Sequence, residues 1–161
     1  MATDNSRRKF VKKSSMGLLA ASLAPSIIDQ IKTDKKLRTA HIGVGNMGME
    51  DLKAITSHAQ VSVVALCDVD ANYLAQAHKS HPQAQTFTDY REMLVKLANN
   101  IDAVVVSTPD HTHAPAALMA MNMGKHVYCQ KPLTHYVMEA RAMKKVAQKN
   151  QLVTQMGIQV H

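Results

Sequence analysis

Three glycines, in the run Gly43-Val44-Gly45-Asn46-Met47-Gly48, make a turn whose main chain can lie against a phosphate. The first permits a tight turn, the second lets a pyrophosphate approach the backbone, and the third lets a helix pack closely on a strand. A helix opening at Met47 would add its free amides, so Gly43, Gly45, Asn46, Met47 and Gly48 are candidate holders of a dinucleotide. Asp68 follows 20 residues after Gly48, at the end of a second apolar run. Its carboxylate can accept hydrogen bonds from both hydroxyls of an adenosine ribose and would repel a 2′-phosphate. Asp70 adds to that repulsion and no arginine follows within the turn, so NAD is favoured over NADP. The competing reading is a glycine turn that holds no nucleotide.

Two further groups stand where such a fold gathers its ligands. Thr108-Pro109-Asp110-His111-Thr112-His113 follows the apolar run Ala103–Ser107. Thr108, Pro109, Asp110 and His113 are candidates to flank the cofactor; equally, they can cap the next helix and do no chemistry. Gln130, Lys131 and Pro132, which follow a run ending at Cys129 and face the same crevice as the glycine turn, are also candidates to bind the cofactor. A lysine held there by a following proline could hold a substrate hydroxyl and exchange a proton with it. On spacing alone, Lys131 reads as readily as a solvated surface group.

The elements that must position these residues alternate along the chain. Strands are expected at Arg38–Gly43, Val61–Cys67, Ala84–Phe87, Ala103–Ser107, His126–Cys129 and Leu152–Met156. Helices are expected near Met47–Ser57, Ala71–Ser80, Tyr90–Ala98, Ala114–Met123 and Tyr136–Lys149, with Asp89 a candidate N-cap and Gly124 a stop. In the last helix, Val137, Ala140, Met143 and Ala147 fall on one face. The runs at 61–66 and 103–106 are almost wholly apolar, as strands covered on both sides must be. Strands and helices in this alternation give right-handed crossovers and a doubly wound parallel sheet, a Rossmann α/β fold.

The combination of Gly43-x-Gly45-x-x-Gly48, Thr108-Pro109-x-x-x-His113 and Lys131-Pro132 resembles the glucose–fructose oxidoreductase/inositol dehydrogenase (Gfo/Idh/MocA) family over roughly residues 37–161. The resemblance implies an N-terminal NAD-binding Rossmann domain, here 37–156. It also implies a second α/β domain that supplies substrate contacts and homo-oligomer surfaces and is absent from this chain. Residues 157–161 look like the start of the bridge towards it. The family's Glu-Lys-Pro corresponds to Gln130-Lys131-Pro132: Lys131 is implied to be catalytic, and Gln130 removes a negative charge beside it. The implied activity is hydride transfer between NAD and a sugar, polyol or related hydroxyl compound. The alternatives are a glycosidase that recycles bound NAD through oxidation and elimination, and a nucleotide-binding module without catalysis. Alone, this chain is expected to bind NAD without turnover.

Residues 1–28 read as an export signal. Arg7, Arg8, Lys9, Lys12 and Lys13 precede an apolar, small-residue stretch from Met16 to about Ile28. The paired arginines and Phe10 resemble a twin-arginine leader, with Val11 where leucine is usual. A basic amphipathic first helix is the other reading. Export to the periplasm or beyond follows from the first, with membrane contact only through an uncut leader. Residues 29–36 read as a polar linker. The leader also explains the net charge of +7: without residues 1–24, 14 basic and 11 acidic groups leave +3. That modest excess, 4% aromatic residues and no tryptophan argue against a nucleic-acid binder. Two cysteines make neither a disulfide scaffold nor a four-cysteine zinc site, and no metal is expected.

Overall fold

A computed structural model describes residues 35–158. The expected leader 1–28, nearly all of the expected linker 29–36 and the last residues of the expected bridge lie outside the described residues. The described part runs β1 (Leu37–Ile42), α1 (Met47–Thr56), β2 (Val61–Cys67), α2 (Ala71–Ser80), β3 (Gln85–Phe87) and α3 (Tyr90–Lys96). It continues with β4 (Ala103–Val106), a 3-10 turn (Asp110–Thr112), α4 (His113–Asn122), β5 (His126–Cys129), α5 (Val137–Lys149) and β6 (Thr154–Met156).

All strand pairs are parallel and the order is β3-β2-β1-β4-β5-β6. The sheet therefore winds outward in both directions from β1 and β4, and their carboxyl ends form the switch point where ligands collect in such folds. Alternation along the strands builds two cores. Ala40, Ile42, Val104 and Val106 pack on one side with Met93, Leu94, Ala117 and Met121; Leu66 packs on the other with Met49, Leu52 and Ala77. Helix α4 lies close on the sheet because Ala114, Ala116, Ala117 and Ala120, all buried, keep its inner face small. A register shift after Thr39 breaks the alternation in β2, so that Val64 and Ala65, consecutive in sequence, both reach the first core.

Asp89 caps α3 as expected, accepting a hydrogen bond from the Arg91 amide at 2.8 Å. The stripe expected in α5 is shorter than its spacing implied. Met143 is buried, but Val137 is 69% exposed. With Tyr136 and Met138 also exposed, the first turn of α5 stands clear of the core.

The amino ends of β1 and β4 are joined by a charge pair. Asp102 accepts from Arg38 through the backbone amide, Nε and Nη2 at 2.9, 2.9 and 2.7 Å. Hydrogen bonds from Arg38 hold the Asp102 carboxyl down at about 2 against the usual 3.8. The unfolded chain thus takes up the proton first. The stability this pair gives is whole above about pH 4 and is lost as the pH falls towards 2. Both side chains are a quarter to a third exposed, so Asp102→Ala is expected to cost about 1–2 kcal/mol at pH 7. Urea unfolding at pH 7 and pH 2 measures it; the difference between variant and parent should shrink to a small fraction at the lower pH, where about half of the folded-state carboxyl is protonated.

Candidate functional site

The glycine turn is built by steric necessity. Gly43 has φ +82°, and a Cβ there would stand 2.7 Å from the Ser107 carbonyl oxygen, so the turn lies directly on the end of β4. A Cβ at Gly48 would stand 2.1 Å from the Gly43 oxygen, which is how α1 approaches β1. At Gly45 the space of a Cβ is taken by the ring of Tyr73, 2.5 Å away, making this α2 residue one wall of the site. Asn46 takes φ 44° and ψ −113°, with the Gly48 amide donating to the Gly45 oxygen at 2.8 Å. Few non-glycine residues adopt that backbone, and Asn46 lends α1 no side-chain cap. Of the opening amides of α1, those of Gly48 and Met49 turn back onto the Gly45 and Asn46 oxygens, and that of Met47 is left for an anion.

Asp68 closes the turn from β2. Its Oδ2 accepts from the Val44 amide at 2.8 Å and its Oδ1 from the Asp70 amide at 2.9 Å. Each oxygen keeps a lone pair for a hydroxyl. Around these groups lies a cleft of about 710 Å³, lined by Gly43, Gly45, Asn46, Met47, Asp68, Thr108 and Pro109 among the expected residues. Thr108 Oγ1 is buried there without a hydrogen-bond partner among the described residues. Tyr73 and Arg91 also line the cleft and were not foreseen; His111, within the expected loop but not singled out there, lines it too. Arg91 is ion-paired to Asp89 at 3.0 Å. An arginine therefore does face the cleft, although none follows Asp68 in the turn.

The structure sorts the remaining candidates differently. His113 is 1% exposed and does not line the cleft. Its Nδ1 lies 2.7 Å from the Pro132 oxygen and its Nε2 2.7 Å from the Thr108 oxygen, so the ring staples the two loops together. His111 takes the place beside the cleft, because the 3-10 turn before α4 sends residues 111 and 113 to opposite sides. Asp110 faces His135, 3.3 Å away, and this contact holds its carboxyl below the usual carboxylate range. Lys131 and Pro132 are exposed at the same edge of the sheet, outside the cleft lining, and the peptide between them is cis.

Gln130 is 4% exposed and meets a residue not singled out in the sequence, Asp51 of α1, itself 4% exposed. Gln130 Nε2 donates to Asp51 Oδ1 and Oδ2 at 2.9 and 2.8 Å, and Ser107 Oγ donates to Oδ2 at 2.6 Å. A charged residue on the inner face of a helix, three positions after Gly48, was the available signal. Cys67 and Cys129 end strands separated by β1 and β4; burial pushes both thiols up to about 12 and leaves them unreactive. Among the described residues no three His, Cys, Asp or Glu side chains converge as metal ligands would.

An open parallel sheet with a glycine turn at its switch point, an uncapped helix start behind it and an acid at the end of β2 defines a dinucleotide-binding α/β domain. Residues 37–158 match the oxidoreductase family with an NAD-binding Rossmann fold (Gfo/Idh/MocA), and the chain belongs to that family. The fold superimposes on myo-inositol 2-dehydrogenase from Lactobacillus plantarum with a TM-score of 0.70 and 33% identity, covering 76% of this chain and 36% of that one. GenD2 from gentamicin A biosynthesis, solved in complex with NAD, gives 0.70 and 27% over 76% of this chain and 34% of its own. A glycosyl hydrolase family 109 protein of Shewanella sp. is 28% identical over 173 residues, 90% of this chain and 37% of that protein. The chain thus spans about a third of the length of the relatives it matches.

Proposed function

We propose that this chain is the NAD-binding part of an exported oxidoreductase that transfers hydride between NAD and a hydroxyl-bearing carbon of a sugar, polyol or related compound. The observation that carries the reading is the convergence, in one cleft, of the open Met47 amide at the start of α1, the Asp68 carboxylate and the unpartnered Thr108 hydroxyl. These groups fit a dinucleotide: the Met47 amide and the helix dipole for the phosphates, a carboxylate for the adenosine ribose, a hydroxyl towards the nicotinamide end. Bound there, NAD supplies the hydride acceptor. Thr108 and Pro109 flank it, and Lys131, at the same edge of the sheet, holds the substrate hydroxyl and exchanges its proton. A second domain following residue 157 would close the site and carry the contacts of a homo-oligomer. Val153, Met156 and Ile158, exposed around β6, give such a domain apolar surface to cover.

Export through a twin-arginine route rests on Arg7-Arg8-Lys9-Phe10 and the apolar stretch after it. Recovery of the native product only from the cytoplasm of its producing cells would overturn it.

The cofactor assignment is tested at Asp68. Asp68→Ser removes the charge that repels a 2′-phosphate while Arg91 remains in the cleft. Fluorescence titration with NADH and NADPH should show the preference for NADH falling about tenfold or more, as loss of a charged contact would give. The ratio is the readout, because loss of the Val44 contact weakens both ligands alike. An unchanged ratio would mean that Asp68 does not read the ribose.

A glycosidase using the same cofactor within each turnover is the second reading. One observation favours it: the likeness to the Shewanella protein takes in 90% of the chain, more than the 125 of 161 residues after position 36, and so runs into the first 36. Sugar release without net NADH formation would establish it; NADH accumulating in step with substrate oxidation would exclude it.

A further inference from the structure

We propose that Asp51 is a positioning residue for Lys131, acting through Gln130, and that residues 51 and 130 form a coupled pair that holds one negative charge between them. A carboxylate can only accept hydrogen bonds. Asp51 accepts two contacts from Gln130 Nε2 and one from Ser107 Oγ. Because the amide nitrogen of Gln130 must face this acceptor, its Oε1 is turned the other way, where it accepts from the Lys131 amide at 2.9 Å. The Lys131 amide can only donate, so both ends of the chain of contacts demand the same orientation of the Gln130 side chain. Asp51 and Gln130 are both fixed from outside the loop. Gln130 is also tied to β4 through its own amide, which donates to the Val106 oxygen at 2.9 Å, and Asp51 and Gln130 are each 4% exposed.

The arrangement has a definite consequence for chemistry at position 130. A glutamate there would set carboxylate against carboxylate at the distances now spanned by Gln130 and Asp51, 2.8–2.9 Å, and like charges so close do not both stay ionised without cost. Glutamate at 130 is compatible only with a donor at 51. Asparagine supplies one: its Nδ2 would donate to the new carboxylate, its Oδ1 would still accept from Ser107, and the second glutamate oxygen would accept from the Lys131 amide. The link from Ser107 through 51 and 130 to the Lys131 amide is kept, and the charge moves from 51 to 130. The same substitution at 130 should therefore harm the protein with Asp51 and be tolerated with asparagine in its place.

The proposal rests on the reading of Lys131 as the group that meets substrate, but its test needs no substrate. Gln130→Glu, Asp51→Asn and the double variant are made in the complete protein. Exchange of the Lys131 amide is followed by quench-flow labelling and mass spectrometry, alongside the melting midpoint. Gln130→Glu alone should lower the midpoint by about 5 °C or more and speed Lys131 exchange about tenfold, the protection one hydrogen bond confers. Adding Asp51→Asn should return the midpoint to within about 2 °C and exchange to within about twofold of the parent. Gln130→Leu, which deletes the acceptor, sets the unprotected rate and stands in if Gln130→Glu does not fold. Equal effects of Gln130→Glu in both backgrounds would overturn the pairing. A restored midpoint with Lys131 exchange still at the Gln130→Leu rate would overturn the positioning role, leaving packing alone. Loss of turnover in Lys131→Ala bears on the catalytic reading and leaves these outcomes untouched.

Discussion

Replacing Gly48 by alanine is expected to destabilise the domain by about 3 kcal/mol or more and to abolish NAD binding. The added methyl would stand 2.1 Å from the Gly43 oxygen, 2.8 Å from its carbon and 3.3 Å from Ser107 Cβ. Two of these three are main-chain atoms of the turn that starts the site, so no rotamer change relieves the overlap. Helix α1 must move off β1, and in moving it draws Asp51 from Ser107 and Gln130 and the helix amides from the cleft. Gly124→Ala is the control. Gly124 has φ +76° with nothing within 4 Å of its missing Cβ, so alanine there meets only the left-handed backbone penalty, about 1 kcal/mol. Urea unfolding of both variants separates close packing from backbone freedom. Equal losses would mean that helix and strand are not locked at Gly48 as the geometry requires.

The same close packing explains what the sequence could and could not reveal. Strand ends and helix starts were legible because each is marked locally: Gly43 and Gly48 at the first crossover, Asp89 at the start of α3, Gly124 at the end of α4, almost wholly apolar runs in β2 and β4. The doubly wound order then follows from crossover handedness. Side-chain direction in the loops was not legible. Residues 111 and 113 are both histidines, and only the 3-10 turn between β4 and α4 decides that 111 meets the cleft and 113 the backbone of two loops. Tyr73, Arg91 and Asp51 escaped for a related reason. Each meets the site through a partner distant in sequence: Tyr73 over Gly45, Arg91 beside the end of β2, Asp51 under Gln130, 79 residues away. Helical period marks a buried face but does not say which strand end lies beneath it. The departure at Gln130 was legible as a lost charge; that a carboxylate lay against it from α1 was a property of the fold.

Lys131→Ala in the complete protein is expected to reduce turnover by roughly 10²–10⁴-fold, the contribution of a positioned proton-exchanging group. Affinity for NADH should change by less than about twofold, because Lys131 stands outside the cleft that Gly45, Asp68 and Thr108 line. Steady-state turnover with a panel of inositols and sugars, beside NADH fluorescence titration, reads both quantities. Lys131→Arg sharpens the assignment. Arginine keeps the positive charge and comparable reach, but it does not give up its proton under any condition the fold survives. If Lys131 acts by exchanging a proton with the substrate hydroxyl, the arginine variant should be nearly as slow as the alanine variant. If it acts only by holding the hydroxyl with a positive charge, arginine should recover most of the rate. Turnover unchanged in Lys131→Ala would sink both roles and move the search for the proton-exchanging group to the cleft itself, where His111 is the titratable side chain on the β4 loop.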